Sequence, residues 1–207
     1  MIVVIVTQNI ILELYMFDFI QPFDTQVMLF FQNVLRTSFL NPIMVFLSYI
    51  GYVSTIWIII SIVLIIRKET RKAGIFTLAT MLICYAFNDL IIKGLIDRAR
   101  PYETIPALTL LTFVPGSSSF PSGHACSSFA ASLILTKFLG KKGALFYILA
   151  VLIAISRIYV GAHYLSDVVV GSIVGTTGAF IVFLLARNIG LITPDDLLPH
   201  STKNHGR

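Results

Sequence analysis

The chain has 207 residues, 57% hydrophobic and 12% charged, against about 25% charged in an average soluble domain; too little polar material remains to coat a globule, and a soluble monomer is excluded. A mean hydropathy of +0.88 and apolar blocks near the roughly 20 residues a helix needs to cross about 30 Å of hydrocarbon describe an integral membrane protein of the all-α class, a polytopic helix bundle with about six transmembrane helices. The net charge of +5, from 15 Lys and Arg against 10 Asp and Glu, reads as membrane topology, and no basic stretch with interleaved aromatics supports nucleic-acid binding.

Residues 1–36 form an N-terminal hydrophobic or interfacial segment. Residues 1–12 are apolar, but Glu13, Asp18 and Asp24 interrupt before a full span is reached. The segment reads as a first transmembrane helix, with an interfacial amphipathic helix over 24–36 as the alternative; a signal peptide is disfavoured because no positive region precedes the apolar run. Residues 37–66 are free of charge and predict one span. The next span covers 73–96 and carries Asn88, Asp89 and Lys93 near its far end, before Pro101 forbids continuation. Residues 101–121, with Gly116 and three consecutive serines, read as a loop. Ser122 caps a helix over 122–139, and spans over 143–161 and 165–186 complete the catalytic bundle, 37–187. The polar tail covers 188–207, and its part after Pro194 is expected to be mobile. Cys84 and Cys126 lie in apolar segments with no metal-ligand spacing and read as small buried hydrophobes.

Ten Lys and Arg fall in the 67–72 loop, in the 137–142 turn and, as Arg187, Lys203 and Arg207, at the end of the last span and in the tail, whereas Arg36, Lys93, Arg98, Arg100 and Arg157 fall on the opposite face. Positive loops stay cytoplasmic, so the second face is placed outside. Ionisable groups at membrane helices are functional-site candidates, and here they gather on that face. Lys93 and Arg100 are seven apart, two helical turns, and can address one anion. His163 and Asp167 are four apart, so the carboxylate can hold one imidazole nitrogen and leave the other free. Arg157 offers a planar fork matched to phosphate oxygens. The stretch Pro121-Ser122-Gly123-His124 opens a helix whose first N–H groups and dipole favour an anion. Three cations, a helix N-terminus and two histidines describe a phosphoryl-transfer site, one histidine attacking phosphorus while the other protonates the leaving oxygen.

These residues resemble the tripartite signature of the type 2 phosphatidic acid phosphatases (PAP2): Lys93-Gly94-Leu95-Ile96-Asp97-Arg98-Ala99-Arg100-Pro101, then Pro121-Ser122-Gly123-His124, then Ser156-Arg157 followed by His163 and Asp167. The resemblance covers about residues 41–187. It implies that His163 is the nucleophile forming a phosphohistidine, that Asp167 polarises it, and that His124 is the general acid which later helps water attack. It further implies that Lys93, Arg100 and Arg157, with backbone donors at Ser122 and Gly123, cradle the phosphate. No metal or cofactor is implied. The partners are membrane lipids and a lipid phosphate substrate: polyprenyl diphosphate, ranked first, phosphatidylglycerol phosphate or phosphatidic acid.

A lipid phosphotransferase of the same family is the first alternative. A non-enzymatic transporter is the second, disfavoured because its ionisable groups would spread through the membrane depth. Asp89 either pairs with Lys93 or satisfies a contact between helices. Asp97, Arg98, Tyr102 and Glu103 read as a solvated loop with local ion pairs, with headgroup selection as their functional alternative, Gly171, Gly175 and Gly178 as close-packing positions, and Phe113 and Phe120 as lipid-resting or lid residues. The sequence does not set the oligomeric state.

Overall fold

The computed structural model describes residues 17–197, and no strand occurs among the described residues. Hydrocarbon supplies no hydrogen-bond partner to a backbone, so each segment satisfies its own N–H and C=O groups as helix. Helix α1 spans Gln21–Phe30 and runs into a π-helical turn, Phe31–Leu35. Helices α2, Leu40–Ile50, and α3, Thr55–Ile66, follow. Helix α4 covers Arg71–Leu95 and also contains a π-helical stretch, Ala86–Ile92. A short α5, Pro101–Thr104, lies inside the long loop. Helices α6, Gly123–Leu139, α7, Lys141–Tyr159, and α8, Leu165–Asn188, complete the bundle. The stretch 1–12, read as part of a first span, lies outside the described residues.

Helices α4, α7 and α8 are each long and apolar enough to cross a membrane. The run 37–66, expected as one span, is a bent pair, with α2 and the following helix meeting at 58° and together long and apolar enough to cross a membrane. The chain turns through Val53 and Ser54, both left-handed at φ 48° and 58°, a conformation costing on the order of 1–3 kcal/mol at a non-glycine residue. Packing explains where the bend falls: a Cβ on Gly51 would meet Ile153 Cγ2 at 2.7 Å and His124 Cδ2 at 2.9 Å, so the end of α2 presses onto α6 and α7. No proline or charge marks the break, hence its invisibility in a charge-free run.

Helix α6 is the central element. It has 17 residues, eleven of them buried, and packs against α4, α7 and α8. Its contact with α8 is backbone on backbone, because a Cβ on Gly171 would lie 2.5 Å from the Ser122 carbonyl oxygen and one on Gly175 only 2.0 Å from that of Cys126. Such small-residue seams substitute for the hydrophobic drive that lipid removes. Buried Trp57 on α3 satisfies its indole N–H at Ser128 Oγ, 2.9 Å away, as a polar handle in an apolar interior must. Cys84 and Cys126 are both buried and unbridged.

Chain direction then determines where chemistry gathers. Helices α4 and α7 end, and α6 and α8 begin, at one end of the bundle, so all three signature segments meet there. The loops near Arg67 to Lys72 and around Gly140 lie at the other. At that far end Lys72 Nζ pairs with Asp196 at 2.8 Å, and Pro194–Asp196 forms a helical turn. Residues 194–196, where the mobile part of the tail is expected to begin, thus form a turn whose Asp196 reaches back to α4.

Candidate active site

A cavity of about 760 Å³ opens at the signature end, lined by Lys93, Gly123, His124, Arg157 and His163. Its remaining wall is largely apolar and includes Ile58 of α3 and Leu78, Met81, Leu82 and Tyr85 of α4. The bend between α2 and α3 contributes Gly51 to Ser54 to the rim, where Tyr52 stacks edge-on against Phe113 at 4.6 Å. Phe120 is buried and packs on Phe17 at 5.2 Å, so it supports the site from behind and is no lid.

Lys93 arrives on the last turn of α4 and is buried. Its Nζ donates to Asp89 Oδ1 at 2.5 Å, which resolves the Asp89 alternatives in favour of pairing. Asn88 Nδ2 donates to the other oxygen of Asp89 at 3.1 Å. That carboxylate sits against the α6 N-terminus: a Cβ on Gly123 would meet it at 3.0 Å, and the helix dipole favours an anion there. Ser122 is the N-cap of α6, its side chain accepting from the Ala125 N–H. Its own N–H donates to the Asp167 carbonyl at 3.0 Å. The backbone donor expected at Ser122 is thus occupied, because α8 crosses directly over the cap, and Gly123 opens the free turn of the helix.

Arg157 is almost wholly buried at the end of α7. One Nη1 donates to Ser48 Oγ, while its Nε finds no partner among the described residues. His124 Nε2 is likewise buried and unpartnered among them. His124 and Arg157 line the cavity together with Lys93, and two buried polar atoms without a partner so close to it mark a place where function outweighs satisfied hydrogen bonding.

Arg100 departs from the sequence reading. The helix ends at Leu95, so Lys93 and Arg100 do not share a helical face. The Arg100 guanidinium instead donates to the carbonyls of Ser117 at 2.7 Å, Ser118 at 3.1 Å and Ala162 at 2.7 Å, clamping the loop to the segment before His163. Its Nη1 lies 3.4 Å from His163 Nε2.

His163 follows Gly161, whose φ of 85° turns the chain between α7 and α8 and which a side-chain-bearing residue would resist. Its Nδ1 lies 2.7 Å from the Ser119 carbonyl oxygen. A carbonyl only accepts and a guanidinium only donates, so Nδ1 carries the proton and Nε2 the lone pair. Burial first, and then the charges of Arg100, Arg157 and Lys93, hold the imidazole well below its ordinary value of 6.5, so the ring is neutral near pH 7. Asp167 is 3.7 Å from Nδ1 and does not hold the ring directly, as the four-residue spacing suggested. It reaches the histidine through Ser119, whose hydroxyl donates to Asp167 Oδ2 at 2.5 Å.

Arg98 and Asp24 were not among the expected site residues. Arg98 is buried, not solvated, and bridges Asp167 at 2.5 Å and Asp24 at 2.7 Å. Breaking such a buried pair by deleting one partner costs about 3–5 kcal/mol. An acid in the apolar α1 was the available signal for Asp24; the use of a backbone carbonyl at Ser119 leaves no trace in residue identity.

The sequence profile of the PAP2 superfamily matches residues 73–190, more than half of the chain and every signature segment. The chain belongs to the PAP2 superfamily. Among curated PAP2 relatives it is 35% identical over 153 residues to an undecaprenyl-diphosphatase of Sulfolobus acidocaldarius, covering 72% of both chains. It is also 35% identical over 137 residues to a decaprenylphosphoryl-5-phosphoribose phosphatase of Mycobacterium tuberculosis, covering 66% of this chain and 75% of the relative. The crystal structure of a transmembrane PAP2-type phosphatidylglycerolphosphate phosphatase from Bacillus subtilis superposes with a TM-score of 0.67 at 26% identity, over 92% of this chain and 98% of that one. The protein is thus an integral membrane PAP2 phosphatase, an enzyme of the lipid phosphatase family.

Proposed function

We propose that this PAP2 phosphatase removes the terminal phosphate of a polyprenyl diphosphate through a covalent phosphohistidine, at a site on the outer face of a bacterial cytoplasmic membrane. The observation that carries the mechanism is the neutral His163, with its Nδ1 proton committed to Ser119 and its Nε2 lone pair beside Arg100. His163 Nε2 attacks the terminal phosphorus, and the bond from phosphorus to the lipid-phosphate oxygen breaks. His124 gives its proton to that leaving oxygen. A water then attacks the phosphohistidine, His124 takes the water's proton, and inorganic phosphate leaves as the N–P bond breaks. Lys93, Arg100, Arg157 and the Gly123 N–H stabilise charge on the equatorial oxygens, and Asp167 orients His163 through Ser119.

The apolar wall formed by α3 and α4 favours a lipid whose chain leaves the site sideways into the bilayer, and the Sulfolobus relative is named for a polyprenyl diphosphate. Outward placement rests on the basic loops at the opposite end. The likeness to a phosphatidylglycerolphosphate phosphatase structure supports phosphatidylglycerol phosphate as the second substrate reading.

The test is phosphate release in detergent with chelator present and no acceptor lipid added, from polyprenyl diphosphate, phosphatidylglycerol phosphate and phosphatidic acid. Wild type should release phosphate fastest from the polyprenyl compound, and His163→Ala should lose about a thousandfold or more. Faster turnover of phosphatidylglycerol phosphate would replace the substrate, and retained activity in His163→Ala would remove the mechanism.

A further inference from the structure

Helix α1 lies outside the residues matched by the family profile, yet it delivers a carboxylate to the site. Asp24 is fully buried and Arg98 nearly so. The Arg98 fork spans two elements: Nη2 donates to Asp24 Oδ2 at 2.7 Å and Nη1 to Asp167 Oδ1 at 2.5 Å. Ser166 closes the arrangement, its N–H donating to Asp24 Oδ1 at 3.0 Å and its hydroxyl bonding both Asp24 and Arg98. Gln21 accepts a further Arg98 N–H at 2.8 Å. Phe17 and Tyr164 sandwich the guanidinium at 4.2 and 4.0 Å, which fixes its plane.

Ser119 joins this cluster to His163 by three bonds. Its N–H donates to the Arg98 carbonyl at 2.8 Å, its hydroxyl to Asp167 at 2.5 Å, and its carbonyl accepts the His163 Nδ1 proton at 2.7 Å. A long arginine held at one carboxylate keeps several rotamers, whereas one held at two, in a planar fork, keeps a single orientation. We propose that Asp24 and Arg98 are positioning residues that set the ring orientation and tautomer of His163 through Asp167 and Ser119. Their effect on turnover rests on the His163 nucleophile proposed above. Helix α1 is, on this account, part of the machinery and not only a membrane anchor.

The test uses the full chain in detergent with Asp24→Asn, Arg98→Gln and the double variant, reading phosphate release and the nitrogen NMR spectrum of histidine-labelled resting protein. Asp24→Asn should lower kcat about 10- to 100-fold with KM within about twofold, the scale of a displaced reacting group. The double variant should lose no more than Arg98→Gln alone, since Asp24 acts through Arg98. The His163 resonances should move from the wild-type Nδ1–H pattern toward a mixture of tautomers. Should Asp24→Asn fail to fold, Ser166→Ala removes only the bridging hydroxyl and should cost about three- to tenfold in kcat. A folded variant with wild-type kcat, or losses that multiply in the double variant, would overturn the proposal. So would an unshifted His163 spectrum in Asp24→Asn, whatever the course of the reaction. A shifted spectrum in a protein that forms no phosphohistidine would support the positioning and overturn the nucleophile assignment alone.

Discussion

A histidine buried beside three cations binds protons less readily folded than unfolded, and a pH dependence of stability follows. His163 is held well below its ordinary 6.5 by burial and by Arg100, Arg157 and Lys93. Between the folded value and about 6.5 the unfolded chain holds the extra proton, so stability rises with pH in that window. The contribution is fully present above about pH 6.5 and is lost progressively as pH falls below it. Thermal unfolding at about pH 7.5 and about pH 5 should show a larger loss in wild type than in His163→Gln; equal losses would mean that His163 titrates normally. The same burial leaves Nε2 unprotonated for attack near neutral pH, so residue-level stability and chemistry share one cause.

At the scale of elements, the seam between α6 and α8 aligns the cap at Ser122 with the carbonyl of Asp167. Gly175→Ala would put a Cβ 2.0 Å from the Cys126 carbonyl oxygen, and backbone cannot yield as a flexible side chain can. Overpacking of this kind costs about 1–3 kcal/mol, so the thermal midpoint should fall and, because the seam positions the α6 N-terminus, activity should fall with it. Gly94→Ala is the matched control: no atom lies within 4 Å of its added Cβ, and alanine is the better helix former by about 1 kcal/mol. An equal drop in both variants would show that the loss reflects helix composition and not the seam. The bend between α2 and α3 belongs to this scale too, since its left-handed residues place Tyr52 against Phe113 at the rim.

Across the whole molecule, antiparallel helices separate a chemical end from a basic end. The outward-facing site proposed above predicts that a cysteine replacing exposed Gly116 reacts with a membrane-impermeant thiol reagent on intact cells, and one replacing exposed Lys68 only after permeabilisation. The native Cys84 and Cys126 are buried and should stay silent. The reverse labelling pattern would turn the protein over. Asp196 pairing with Lys72 ties the chain beyond α8 to the basic end, which places that tail on the cytoplasmic side in the same experiment.

Composition and periodicity were sufficient for the membrane class, for spans near α4, α7 and α8, and for the gathering of Lys93, His124, Arg157 and His163 at one end. These are properties of chain order and helix length, written locally. The tertiary structure alone decided the bend at Gly51 to Ser54, the occupied N–H of Ser122, the Arg100 clamp, the relay from Asp167 through Ser119, and the reach of Asp24 to Arg98. Each depends on a contact between residues distant in sequence, several of them through backbone atoms that every residue type shares. Side-chain identity shows which groups are available for chemistry; close packing determines which partner each one meets.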